Sequence, residues 1–424
     1  MTNQIQSGHW LGKFLTLLFG PKMLVMLLTG FSSGLPLLLT GSTLKFWMRE
    51  EGLDLPTIGF FALVGMPYTL KFLWAPMMDR LIPPFGGRRR GWMLITQLAL
   101  MFSIASLAFT KPSVHLPTIA VLSLLVAFFS ASQDIVLDAY RREYLRDEEL
   151  GIGSSIFVNG YRIGILISGA LALILADFLS WTAAYIVMGL LMTVGIMTTL
   201  FAPEPTIEGS PPTSFQEAFT GPFLEFCRRP GWLTILLFIL LYKIGDSMAS
   251  EMLSPFWVDL EVSKSTVAGI VKTFGFAASI GGGLMAGLVV YRWGIIPSLL
   301  IFGFFQMIST AGFALLAIFG NQVFLLTVVI AFENLTGGMG TTAFVAFMAS
   351  LTNKRFTATQ YALLTSIMGI PRVIAGSITG VLATWLGWEG FFILCTVVAV
   401  PGILLIFRLP QLVQSPTTQA ATTQ

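Results

Sequence analysis

Residues 22–47 read KMLVMLLTGFSSGLPLLLTGSTLKFW. The run is apolar almost throughout, with lysine only near its two ends. A hydrocarbon core of ~30 Å takes about 20 helical residues to cross, so the segment is long enough to span a bilayer. It is too long for the apolar core of a cleaved secretory signal, and it reads as a first membrane helix that stays in the protein. Upstream, Trp10 to Phe19 is apolar around Lys13 and is expected at the membrane interface. The composition carries the same message: of 424 residues, 55% are hydrophobic and 11% charged, against roughly 25% charged in a soluble chain. Too few polar side chains remain to solvate a surface of this size, so the expected solvent is lipid. A net charge of +3 gives no argument for a nucleic-acid partner. The two cysteines, Cys227 in a polar linker and Cys395 in an apolar run, indicate no disulfide framework.

The same length criterion predicts twelve spans, at 22–47, 57–78, 91–110, 116–140, 152–177, 182–202, 232–258, 266–290, 294–319, 322–350, 358–385 and 388–408. Pro36, Pro67, Pro76 and Pro371 fall inside spans, which membrane helices tolerate because neighbours re-satisfy the freed backbone groups. With an even span count both termini share one side. That side takes fifteen of the 24 lysines and arginines, the other side three, and six fall within spans. Cytoplasmic loops are the ones enriched in Lys and Arg, so both termini are expected in the cytoplasm. The polar tail after Pro410 is expected to be disordered.

The longest polar break, Pro203 to Gly231, divides the chain into a six-helix bundle at 1–202, a cytoplasmic linker at 203–231 and a second six-helix bundle with a short polar tail at 232–424. Phe215, Phe219, Phe223 and Phe226 recur near helical spacing in the linker and predict a short interfacial helix there. The two bundles echo one another at a constant offset. Phe46-Trp47 and Phe256-Trp257 are 210 residues apart, and so are Gly59 and Gly269, and Arg162 and Arg372. Parallel repeats of this kind build the major facilitator fold, an all-α membrane architecture of two pseudo-symmetric six-helix bundles with its site near the midplane. The loop after the second span, Asp79-Arg80 followed by Gly87-Arg88-Arg89-Arg90, resembles the signature of that superfamily, stretched by a Pro-Pro-Phe insertion. Asp79, Arg80, Arg88 and Arg89 are therefore expected to form a loop that responds to conformational change.

An ionisable side chain in hydrocarbon costs at least a few kcal/mol and persists where it faces protein or water. At ~1.5 Å per residue, Lys71, Arg162, Lys243, Asp246, Glu333 and Arg372 come out near mid-depth. Asp134 lies in the cytoplasmic third and Asp138 near the cytoplasmic end. Ser130, Asp134, Asp138 and Arg141 share one helix face. Two carboxylates one turn apart repel, which suits one of them to proton binding; Asp134 fits that role better, and Asp138 also fits a structural ion pair with nearby arginines. Lys243 and Asp246, at i and i+3, either neutralise each other or are separated during transport. Glu333-Asn334 precedes Gly337-Gly338-Met339-Gly340, where glycines permit close backbone approach. The proton-coupling candidates are thus Asp134, Asp138, Asp246 and Glu333. The candidates for holding solute are Lys71, Gln133, Asn159, Arg162, Lys243, Asn334 and Arg372. With one or two carboxylates protonated this set is positive, which favours an anionic solute.

The only histidines are His9 and His115, and no phosphate-binding Gly-x-x-x-x-Gly-Lys-Ser/Thr loop is present. The expectation is a transporter with no metal and no cofactor, and not an enzyme. A membrane sensor is the rival class, but no cytoplasmic segment is large enough for a signalling domain.

Four stretches resemble the AmpG-type muropeptide permeases: Ser132-Gln-Asp-Ile-Val-Leu-Asp-Ala-Tyr140, Tyr242-Lys-Ile-Gly-Asp246, Glu333-Asn-Leu-Thr-Gly-Gly-Met-Gly-Thr341 with Ala343-Phe-Val-Ala346, and Phe356-Thr-Ala-Thr-Gln-Tyr-Ala-Leu-Leu364. The resemblance covers nearly all twelve spans. It implies a monomeric, proton-driven importer of N-acetylglucosaminyl-1,6-anhydro-N-acetylmuramyl peptides in the bacterial inner membrane, serving peptidoglycan recycling and, where the enzyme is inducible, β-lactamase induction. Some members of that family carry two further apolar spans, which are not seen in this sequence. Acetyl-coenzyme A transporters are distant relatives, and a bulky anionic solute of that sort is the alternative.

Overall fold

Apolar runs of this length cannot leave backbone N–H and C=O groups bare in lipid, and the helix satisfies them within one segment. In the protein, described here from a computed structural model, helices are the only regular elements among residues 12–206, 214–263 and 266–409, the residues the structure describes. The side chains of 55, 56, 62, 267, 268, 272 and 371–377 lie outside that description. Ten helices among the described residues are long and apolar enough to cross a membrane.

The first expected span is α1 (Pro21–Leu39) followed, across a turn at Thr40-Gly41, by α2 (Ser42–Glu50). The second is broken: α3 (Leu55–Phe60), a 3-10 turn, α4 (Met66–Leu70), a second 3-10 turn at Lys71–Leu73 and α5 (Ala75–Arg80). Pro67 and Pro76 lack the N–H that would continue an α-ladder, and each sits in the first turn of a new helix, where that loss is harmless. Then come α6 (Arg88–Leu107), α7 (Leu116–Tyr144) and α8 (Leu150–Leu166). A π-helical turn joins α8 to α9 (Ala172–Phe178), and α10 (Trp181–Leu191) with α11 (Thr193–Phe201) completes the sixth span. The linker contains α12 (Phe215–Cys227). The later helices are α13 (Trp232–Tyr242), α14 (Ile244–Asp259), α15 (Gly275–Trp293), α16 (Ile295–Phe319), α17 (Val323–Leu351) and α18 (Thr357–Ile406). The last two expected spans are the two arms of α18, which turns at Gly387 with φ 66°.

The chain falls into two compact units, Met1–Pro222 with Thr352–Ser366, and Phe223–Leu351 with Ile367–Gln424. Within the first, α1 and α8 pack backbone against backbone. A Cβ at Gly30 or Gly34 would strike the carbonyl oxygen of Phe157 or Tyr161, and one at Gly160 or Gly164 would strike Leu27 or Phe31. Lipid gives helices no hydrophobic reason to associate, so such van der Waals contact is the main source of cohesion. Each unit also has an aromatic corner tied to a carboxylate. In the first, Trp47 stacks on Trp181 at 5.4 Å, and the Trp181 indole donates to Glu50 at 2.8 Å. In the second, Phe256 packs on Trp388 at 5.1 Å, and the Trp388 indole donates to Asp259 at 2.9 Å. The Phe-Trp pair thus meets a tryptophan in both units, through Trp47 in the first and through Phe256 in the second.

Candidate functional site

Three charged clusters hold the residues singled out by the sequence. The first surrounds Asp79, at the end of the broken second span and fully buried. Its Oδ1 accepts from Arg88 at 2.9 Å and from Arg89 at 2.8 Å. Its Oδ2 accepts from the Thr359 backbone at 2.8 Å and the Thr359 hydroxyl at 2.7 Å. Asp79 therefore caps the first turn of α18, where orphan N–H groups and the helix dipole favour an anion. Arg89 also reaches Glu143 at 2.6 and 2.8 Å. Glu204 accepts from the backbones of Arg89 and Arg90 at 2.7 and 2.9 Å and so caps α6. Arg80 stands apart from this network: its guanidinium lies 3.6 Å from the centre of the Phe215 ring on α12.

The second cluster is on α7. The Ser33 hydroxyl donates to Asp134 at 2.5 Å across from α1. Asp138 pairs with Arg141 at 3.0 Å, and Arg141 donates to the Tyr361 hydroxyl at 2.7 Å. Lys71, buried in the second 3-10 turn of the broken span, acts electrostatically on both Asp134 and Asp138. The break is what sets it there, since irregular backbone at membrane depth survives only where it is buried in protein or lines a cavity. Gln133 is spent on joining helices: its Nε2 donates to the Ser32 carbonyl at 2.9 Å and its Oε1 accepts from the Ser32 hydroxyl at 3.4 Å. Asn159 is buried on α8, and neither atom of its amide has a hydrogen-bond partner, which makes it the better-placed amide for a solute. Arg162 is half buried, two residues from each of Gly160 and Gly164 and so on the other face of α8.

The third cluster is in the second unit. Lys243 donates to Asp246 at 3.2 Å and to Gln306 at 3.2 Å. Asp246 and Glu333 lie near enough to act electrostatically on one another. Ser309 hydrogen-bonds Glu333 and accepts from Thr336 at 2.9 Å. Asn334 turns back to the Ile330 carbonyl at 3.0 Å. Gly338 lies against the Ser279 carbonyl of α15, so the glycine run serves close packing at that position. Arg372 lies outside the described side chains.

The structure therefore brings Asp79, Arg88 and Arg89 into one network, Lys71, Asp134 and Asp138 into a second, and Lys243, Asp246 and Glu333 into a third. Ser33, Gln306, Ser309, Glu143, Glu204 and Thr359 complete these groups and were not foreseen. The Ser32-Ser33 pair in an apolar run and the threonines at the start of α18 were the available hints.

A model of the Major Facilitator Superfamily matches residues 23–376. The anhydromuropeptide permease of Escherichia coli K12 is 44% identical over 396 residues, which is 93% of this chain and 81% of that one. A putative transporter AmpG 1 of Rickettsia bellii is 32% identical over 406 residues, covering 92% of this chain and 98% of that one. Among solved structures, the proton:xylose symporter XylE superposes with a TM-score of 0.70 at 12% identity, over 91% of this chain and 94% of the symporter; at that identity the likeness is one of fold.

Proposed function

The chain belongs to the major facilitator superfamily, among its AmpG-type permeases, and on that premise we propose that it imports anhydro-muropeptides, drawn by protons, across the bacterial inner membrane. It is a multi-pass membrane transporter and not an enzyme. The relationship to the E. coli permease carries the choice of solute. The chemistry of the clusters agrees with it. Muropeptides bear several carboxylates, and each unit holds a buried or half-buried lysine beside a carboxylate, Lys71 near Asp134 and Lys243 on Asp246. Arg162 and Arg372, alike in position within their halves, would add planar guanidinium groups that pair bidentately with carboxylates. Asp134 and the neighbouring Asp246 and Glu333 are the sites proposed for the coupled proton, and the network around Asp79 is the part proposed to reorganise as the transporter changes state.

Counterflow tests the solute without any driving gradient. Proteoliposomes loaded with unlabelled GlcNAc-anhydroMurNAc-peptide should transiently concentrate the labelled compound, and acetyl-coenzyme A should not compete. Absence of counterflow, or stronger competition by acetyl-coenzyme A, would reject the assignment.

A further inference from the structure

Gln306 lies on α16 beside Lys243, and the charge pattern of the sequence did not single it out. It is 4% exposed. A lysine ammonium only donates, so the amide must turn its Oε1 toward Lys243, which it does at 3.2 Å. Nε2 is then left buried without a hydrogen-bond partner. An orphan buried donor is destabilising, and the contact to Lys243 is what that orientation secures. Gly340 on α17 makes room for it. A Cβ at that position would stand 2.6 Å from the Gln306 Oε1 and 3.8 Å from the Lys243 Nζ, so a side chain there would push the amide off the ammonium. Lys243 is in this way divided between a carboxylate and a neutral carbonyl at equal distance.

We propose that Gln306 is a positioning residue, which holds the Lys243 ammonium off full commitment to Asp246 so that it can receive a carboxylate of the solute. The inference rests on the reading of the chain as an importer of carboxylate-bearing muropeptides, and it adds the residue that sets the place of Lys243. A neutral amide suits the task. Its hydrogen bond to an ammonium is weaker than that of a carboxylate, so it yields when the anionic solute arrives. A leucine at this position would surrender Lys243 to Asp246.

The test compares half-saturation concentrations for an anhydro-muropeptide and for the same compound with its peptide carboxylates amidated, in proteoliposomes. The wild type should favour the carboxylate form by roughly tenfold, the worth of one charge-assisted hydrogen bond. Gln306→Leu should bring the ratio toward one. Gly340→Ala should do the same, although it leaves the amide itself intact. A wild type without discrimination, or a Gln306→Leu protein with the full ratio, overturns the proposal. Should Gln306→Leu fail to insert, an undiminished ratio in Gly340→Ala overturns it equally. If the wild type takes up neither compound, the functional reading fails on its own account. The positional claim is then judged from melting temperatures: the coupling between Lys243→Met and Asp246→Asn should be larger in the Gln306→Leu background, and an unchanged coupling overturns it.

Discussion

At Asp79 burial alone would push the carboxyl up, but Arg89, Arg88 and the donors of Thr359 outweigh it and hold the group below its ordinary value of 3.8. A depressed folded value means that the stabilisation is complete above the unfolded value and is lost only as pH falls through the folded one. At neutral pH the network is therefore fully formed. Asp79→Asn leaves two buried guanidinium groups short of an anion, and breaking a buried ion pair in this way costs about 3–5 kcal/mol. The variant should melt well below the wild type at pH 7, with the gap narrowing once the medium is more acidic than the carboxylate range. Equal melting temperatures at pH 7 would show that Asp79 is dispensable to the fold. At this scale the sequence shows charges well, because an ionisable residue in an apolar run stands out by its cost alone. It hides their partners. Ser33 and Asp134 are 101 residues apart and Arg89 and Glu143 are 54 apart, and no spacing rule links them before the helices are packed.

Helix positions were legible because a bilayer imposes one length on every crossing. Ten of the twelve expected spans correspond to apolar helices of spanning length; the second differs because two prolines restart the helix, with Lys71 between the restarts, and the eleventh is the first arm of α18, where the side chains of 371–377 lie outside the described residues. The glycine contacts between α1 and α8 were not foreseen, since Gly30-x-x-x-Gly34 and Gly160-x-x-x-Gly164 carry meaning only when the two helices are known to face one another. Gly34→Ala would set a methyl against the Tyr161 carbonyl oxygen. Overpacking of this sort costs about 1–3 kcal/mol even where side chains can yield, and here a backbone would have to move. Gly281→Ala on α15 meets nothing within 4 Å and serves as the comparison. Thermal unfolding in detergent should show Gly34→Ala clearly destabilised and Gly281→Ala near wild type; matching curves for the two would mean that the α1–α8 approach is looser than described.

For the whole molecule, each unit has an indole that donates to a carboxylate, Trp181 to Glu50 and Trp388 to Asp259, although these residues do not keep the 210-residue offset of the Phe-Trp pairs. Those pairings could not be read from the sequence, which supplied the Phe-Trp pairs but not the tryptophans that meet them. The proposed orientation follows from charge: fifteen lysines and arginines on the side of the termini favour a cytoplasmic linker. Cys227, exposed at the end of α12, should react with a membrane-impermeant maleimide in inside-out vesicles and stay unlabelled in intact spheroplasts; the reverse pattern would invert the topology. The claim on which the account turns is that carboxylates inside the protein couple proton entry to solute entry. It is tested most directly by accumulation of labelled anhydro-muropeptide in proteoliposomes held alkaline inside, with wild-type and Asp134→Asn protein at equal density. The wild type should take the compound up above equilibrium and fall back to equilibration when the gradient is dissipated, and Asp134→Asn should show no concentrative uptake. Accumulation that is indifferent to the gradient, or undiminished in Asp134→Asn, would contradict it.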